Sequence, residues 1–129
     1  MTKADDIGLA EAPYGSALYA QALCLREAIL RKPLGPTLSA EELADDAHRT
    51  HFCAVINGSV VGSVSFKRLG AHTLQLKQMA VADGRQGEGI GSRLLGFAEA
   101  WARRHSYGMI ILNARLGAET FYRKAARFR

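Results

Sequence analysis

Apolar residues recur along this chain in two rhythms, and the change from one to the other divides it. Between residues 14 and 31, Leu18, Ala22, Leu25 and Ile29 fall at helical spacing, with Leu23 and Leu30 widening the stripe. The run Arg31-Lys32-Pro33-Leu34-Gly35-Pro36 stops that helix, because proline has no N–H to give and clashes with the preceding turn. Ser39 and Glu42 make a capping-box pattern for a second, short helix to about residue 47. From residue 51 the spacing shortens to that of strands. Segments 51–56 and 59–69 are separated by Asn57-Gly58, a dipeptide that tolerates the two positive φ angles of a tight hairpin turn. Gly70-Ala71-His72 makes a second turn, and 73–81 returns as the third strand of an antiparallel meander. Helical spacing resumes at 92–105, with Leu94, Leu95, Ala98 and Trp101 on one stripe. A short apolar strand at 109–112 and a final helix at 117–124 complete the pattern, and a weak strand is expected ahead of the first helix, at 7–11.

A strand, a helix and a strand at this length require a right-handed crossover, so 73–81 and 109–112 should pair in parallel. The expected fold class is therefore α/β with a mixed (α+β) sheet: an antiparallel meander followed by a βαβ unit. A chain of 129 residues suits one domain, 1–129, and no repeat or linker interrupts it. The hydrophobic fraction of 48% and charged fraction of 22% are those of a globular protein. Cys24 and Cys53 belong to no CxxC or His/Cys cluster, which argues against a disulfide framework and against a metal. Asp5, Asp6 and Glu11 break any N-terminal apolar run, and no long one occurs later, so a reduced, cytoplasmic protein without membrane partners is expected. The net charge of +5, with Arg115, Arg123, Lys124, Arg127 and Arg129 late in the chain, favours an anionic partner. A phosphate-rich cofactor accounts for that surplus without nucleic acid.

The strongest chemical signal is Arg85-Gln86-Gly87-Glu88-Gly89-Ile90-Gly91, a glycine-rich turn between a strand and a helix. Such a turn brings backbone N–H groups close to a ligand with the positive end of a helix behind them, which suits phosphate oxygens. A dinucleotide fingerprint counted from Gly87 needs glycine where Ser92 stands. A P-loop counted from Gly84 needs Lys and Ser/Thr where Ile90 and Gly91 stand. What does fit is Gln/Arg-x-x-Gly-x-Gly/Ala, met by Gln86, Gly89 and Gly91.

That pattern resembles the pyrophosphate loop of the GNAT superfamily, the acetyl-CoA-dependent N-acetyltransferases. Gln78-Met79-Ala80-Val81 looks like the family's cofactor-facing strand, and Leu94-Leu95 like the apolar positions of its next helix. Segment 113–124, with Phe121-Tyr122-x-Lys124, looks like its next motif, and the hairpin Val55-Ile56-Asn57-Gly58-Ser59-Val60-Val61-Gly62 has the family's appearance. Leu25-Arg26 through Arg31-Lys32-Pro33-Leu34-Gly35 resembles a bacterial subgroup of small members. The resemblance covers roughly residues 7 to 124.

The resemblance implies a set of roles. Acetyl-CoA would be the cosubstrate and an amine the acceptor, attacking the thioester directly. Backbone groups of Met79, Ala80 and Val81 would face the acetyl and pantetheine portions. Arg85, Gln86, Gly87, Glu88, Gly89, Ile90, Gly91 and Ser92 would hold the pyrophosphate, with Gly89 and Gly91 bare so that it can approach. Arg85 is either a further charge near a phosphate or a solvated loop arginine. The N–H of Met79 would stabilise the developing oxyanion, Tyr122 would protonate the leaving thiolate, and Asn113 would contact pantetheine.

Many relatives use a carboxylate base on the cofactor strand, but 73–81 contains none. Glu27, His51, His72 or a water chain are the alternatives, with Gln78 able to position a water. His51 and Cys53 share one strand face and read as a surface histidine beside a core thiol. The chain also stops at Arg129, before the two further strands that relatives carry. Strand 109–112 would then present an open apolar edge, and either a truncated form or a homodimer that covers that edge is expected. A catalytically silent acyl-CoA-binding module is the alternative to an active transferase.

Overall fold

Asn57 and Gly58 take φ angles of 51° and 80°, the pair of left-handed residues that a two-residue hairpin turn demands. They join β2 (Arg49–Ile56) to β3 (Ser59–Leu69), and Gly70, at φ 74°, opens the turn to β4 (Thr73–Val81). This is a computed structural model, and it describes residues 7–31, 40–116 and 119–127. The sheet continues with β1 (Gly8–Glu11) outside β2 and with β5 (Met109–Leu116) and β6 (Glu119–Arg127) beyond β4, in the order β1-β2-β3-β4-β5-β6. Every neighbouring pair is antiparallel except β4 and β5, which are parallel. Mixed α/β architecture with a meander followed by a crossover is therefore what the chain adopts.

Helix α3 (Ile90–Arg104) makes that crossover. Its buried residues Ile90, Leu94, Ala98 and Ala102 form a single i+4 ridge, set against Phe52, Ala54, Val64, Phe66, Leu74 and Leu76. The ridge comes close because β3 carries no side chain at Gly62. A Cβ there would stand 2.7 Å from Ile90 Cγ2 and 3.2 Å from Leu94 Cδ1. Gly62→Ala should accordingly cost about 1–3 kcal/mol through overpacking, read as a lower urea midpoint at unchanged slope. An unchanged midpoint would show that α3 can withdraw freely.

The opposite face of the sheet is covered by α1 (Ala17–Arg26), capped by the Ser16 hydroxyl, which accepts from the Tyr19 N–H at 3.1 Å. A π-helical stretch, Glu27–Arg31, extends it, and α2 (Ala40–Asp46) precedes β2. The expected leucine stripe is not what α1 buries. Its buried face is Tyr19, Ala22 and Arg26, while Leu18, Leu23 and Leu25 are half-buried. A polar anchor described below turns the helix to that side. Ser39, on which the capping box was read, and Pro33, Gly35 and Pro36, read as the stop, lie outside the described residues.

The C-terminal expectation needs correction. Residues 119–127 form β6, not a helix, with Ala114 opposite Tyr122 and Ile110 opposite Ala126. Thr120, Phe121 and Tyr122 favour extended backbone, and pairing with β5 satisfies backbone groups along an apolar strand that a helix would leave bare. Strand β5 is thus flanked on both sides, and the edges of the sheet are β1 and β6. No further hairpin follows among the described residues, and none of their helices is long and apolar enough to cross a membrane.

Candidate functional site

Strand β4 sets the geometry. A bulge leaves Lys77 without a cross-strand partner, so that Phe66 faces Leu76 and Ser65 faces Gln78. It also resets the alternation: Leu74, Leu76, Met79 and Val81 pack toward α3, while Gln75 and Gln78 share the α1 face with their partners Lys67 and Ser65. On its other side β4 pairs with β5 at only three positions, Thr73 with Met109, Leu74 with Ile110 and Gln75 with Ile111. Beyond Gln75 and Ile111 no further pair joins the two strands among the described residues, and the unpaired stretch between them is termed the wedge.

The N–H of Ala82 donates to the Val61 carbonyl at 2.8 Å, which fixes the parity of the strand end. Backbone groups alternate sides along a strand, so those of Ala80 turn to β3 and those of Met79 and Val81 turn to the wedge. One of these already has a partner: the Gln86 side-chain amide donates to the Val81 carbonyl at 2.9 Å, fastening the loop to the strand end. The Met79 N–H faces the part of the wedge where β5 no longer pairs.

The loop after β4 is built from two turns. Arg85 N–H donates to the Ala82 carbonyl at 3.0 Å and Glu88 N–H to the Arg85 carbonyl at 3.3 Å, with Gly84 and Gly87 at φ 83° and 92°. Gly89 is the N-cap of α3 at φ 82°, a conformation that L side chains rarely adopt. It offers no side-chain cap, and the first turn holds no acidic residue, so the N–H groups of Ile90, Gly91 and Ser92 keep their positive end bare. A Cβ at Gly87 or Gly89 would meet nothing within 4 Å, so the space above the loop is open. At Gly91 the constraint is different: a Cβ would touch Met79 Sδ at 3.2 Å, so this glycine lets α3 start over β4. Arg85 pairs with Glu88 at 3.3 Å, an exposed contact of small worth that an incoming anion can displace.

Asn113 lies on β5 past its last pairing with β4, opposite Arg123 on β6. Tyr122 lies on β6 opposite Ala114, one strand further from β4. Of the alternatives for a base, Glu27 is half-buried at the start of the π-helical stretch. His72 is exposed in the β3–β4 turn, at the opposite end of β4 from the glycine loop.

His51 is not the surface residue expected. It is 4% exposed, with Nε2 2.9 Å from the Asp46 main-chain carbonyl and its ring 5.2 Å from that of Tyr19. A carbonyl only accepts, so Nε2 carries the proton, and burial holds the imidazole below the usual histidine range despite that bond. Cys53 is buried as expected, and burial pushes its thiol up, away from reactivity. Among the described residues no three His, Cys, Asp or Glu side chains converge as a metal site would require.

Sequence reasoning missed a buried polar network under α1. Arg26, 2% exposed, grips the fully buried Asp46 with two nitrogens, at 2.7 and 3.2 Å, and the Tyr19 hydroxyl donates to the same carboxylate at 2.6 Å. Arg49 adds a weaker contact at 3.8 Å. Burial alone would raise the Asp46 carboxyl, but the hydrogen bonds from Arg26 and Tyr19 and the guanidinium charge outweigh it and hold it below the usual range. The Tyr19 phenol moves upward, through burial first and the carboxylate second. Arg26 reaches on to Gln78, its Nε donating to Oε1 at 3.0 Å. The signal was present as Tyr19, Ala22 and Arg26 at spacings of three and four, but nothing local pairs it with Asp46.

A wedge beside a bulged strand, closed at one end by a glycine loop on a bare helix start, is the setting in which the comparisons fall. The Acetyltransferase (GNAT) family model matches residues 15–127, and the chain belongs to that family. Among solved structures, aminoglycoside 6'-N-acetyltransferase complexed with coenzyme A superposes with a TM-score of 0.68 at 22% identity, covering 83% of this chain and 61% of that one. Aminoglycoside 6'-acetyltransferase type Ii gives 0.70 at 23%, over 89% and 77%. A GNAT family acetyltransferase from Elizabethkingia anophelis with acetyl-CoA bound gives 0.67 at 20%, over 88% and 69%. At these identities the likeness is one of fold, and the chain spans about three fifths of the length of the first. No curated protein sequence matches it.

Proposed function

We propose that this chain, acting as one GNAT-like domain, transfers an acetyl group from acetyl-CoA to a primary amine. The observation that carries the reading is the wedge: β4 stops pairing with β5 after Gln75, the backbone of Met79 further along turns to that unpaired side, and the same strand runs on into the glycine loop. The thioester of acetyl-CoA supplies the activated acyl group, and coenzyme A binding in two of the similar structures supports this ligand. The loop suits its diphosphate, since the first-turn N–H groups of α3 are uncapped and open space lies above Gly87 and Gly89.

On this reading Met79 N–H holds the acyl oxygen and stabilises the charge that develops there as the neutral amine attacks. Gly89, Ile90, Gly91 and Ser92 hold phosphate oxygens through their backbones, and Gln86 keeps the loop against Val81. By the family resemblance, Asn113 contacts the pantetheine and Tyr122 donates a proton to the departing thiolate. His51 is not the base, since its ring is buried and its Nε2 proton is engaged by Asp46.

Thermal-shift titration of the folded chain with acetyl-CoA, coenzyme A and ATP tests the reading. The two thiol-derived ligands should raise the melting temperature in proportion to the logarithm of their concentration, and ATP should not. No shift with either would end it. A silent acyl-CoA-binding module is the second reading, favoured by the lack of any Asp or Glu on β4. Release of free thiol with any of a panel of amines decides for the enzyme.

A further inference from the structure

The contact between Arg26 and Gln78 fixes more than a side-chain position. Both Nε and a terminal nitrogen of Arg26 donate to Gln78 Oε1, at 3.0 and 2.5 Å. A guanidinium has donors and no acceptor, so the amide oxygen must face it and the two N–H of Nε2 must point the other way. Arg26 is itself held by two bonds to buried Asp46, which Tyr19 also grips. The Gln78 amide is therefore a donor of set direction, and among the described residues its nitrogen has no hydrogen-bond partner.

A second observation marks the same place. Ser65, directly across from Gln78 on β3, and Ser63, across from Ala80, have buried hydroxyls without partners among the described residues. Leaving such groups unmatched is costly, so the α1 face around Gln78 is short of hydrogen-bond partners among the described residues. Gln78 itself borders the wedge, since it immediately precedes Met79 on β4, and the two serines lie one strand further from it, on β3. On the α3 face Met79, Leu76, Leu94 and Ala98 pack together in the core, whereas Gln78 stands half-buried on the α1 face.

We propose that Gln78 is a specificity-determining residue for the acceptor: it donates to an oxygen (hydroxyl, carbonyl or carboxylate) carried near the amine that is acetylated. Arg26 and Asp46 are its positioning residues. The substrate class is thus an oxygen-bearing amine rather than a plain alkylamine, and the inference rests on the acetyltransferase reading. A site with a fixed donor rejects an analogue that cannot accept, because the donor is then desolvated for nothing.

The test uses the full chain, thiol release as the readout, and propylamine, ethanolamine, glycinamide, glycine and 1,2-diaminoethane as acceptors. The best oxygen-bearing amine should exceed propylamine by about tenfold or more in kcat/KM. Gln78→Leu should bring that ratio near one, whatever the absolute rate. Gln78→Glu keeps one oxygen on Arg26 and turns another outward, so the preference should pass to 1,2-diaminoethane, whose second nitrogen donates. A merely structural residue would not invert a preference. Equal rates across the panel in the wild type, or a preference that survives Gln78→Leu, overturns the proposal. Melting shifts with coenzyme A in the same samples separate the two readings. A shift without discrimination among amines overturns only the role of Gln78. No shift in folded wild type overturns the acetyltransferase reading and this one with it. Should coenzyme A bind without turnover, the amine-dependent melting shift of the binary complex takes the place of kcat/KM, with the same outcomes.

Discussion

Asp46→Ala should cost about 3–5 kcal/mol of stability, the loss expected when a buried guanidinium is stripped of its carboxylate. For a chain of this size that lowers the melting temperature by roughly 10–20 °C. The carboxylate takes two bonds from Arg26 and one from Tyr19 while fully buried, so its removal strands two polar groups at once. The pH dependence has a definite sign. The folded-state carboxyl titrates below its usual value of 3.8, so its contribution is complete above that value and is lost as pH falls through the lower, folded one. Acid denaturation of Asp46→Ala should lack this component. The double variant Arg26→Met/Asp46→Leu should recover much of the loss, since apolar replacement of a whole buried pair is often neutral. A single-variant loss below about 1 kcal/mol would show that water reaches Arg26.

Gly89→Val should abolish the melting shift produced by coenzyme A. At φ 82° any side chain is strained, a β-branched one most of all, and its atoms would enter the open space above the uncapped helix start. Strain and ligand exclusion need separating, and Gly70→Ala does it. Gly70 sits at φ 74° with equally open surroundings, in the turn at the other end of β4. It should lose about 1–2 kcal/mol of stability yet keep the full shift with coenzyme A. If Gly89→Val keeps it as well, the helix start is not the diphosphate site.

The parts of this fold that were legible in the sequence are those decided by local chemistry. Asn57-Gly58 admits few backbones besides the hairpin it makes. The final segment was misread because its fate is decided at a distance: Thr120, Phe121 and Tyr122 favour a strand, Arg123, Lys124, Ala125 and Ala126 favour a helix, and β5 settles the matter by offering a strand to pair with. The glycine loop was readable as a contiguous pattern. The Tyr19–Arg26–Asp46–Gln78 network was not, because it joins residues that adjoin only once α1 lies on the sheet. Gln78 was harder still. Strict alternation puts it on the opposite face from Gln75, and only the bulge at Lys77 brings the two together.

The three pairs that join β4 to β5 have a mechanical consequence. Among the described residues they are the sole sheet rungs between a four-stranded slab and a two-stranded one, and past them the seam is unlaced. A ligand lodged in the opening would stand in for the missing rungs, so the molecule would stiffen as it loads and slacken as product departs.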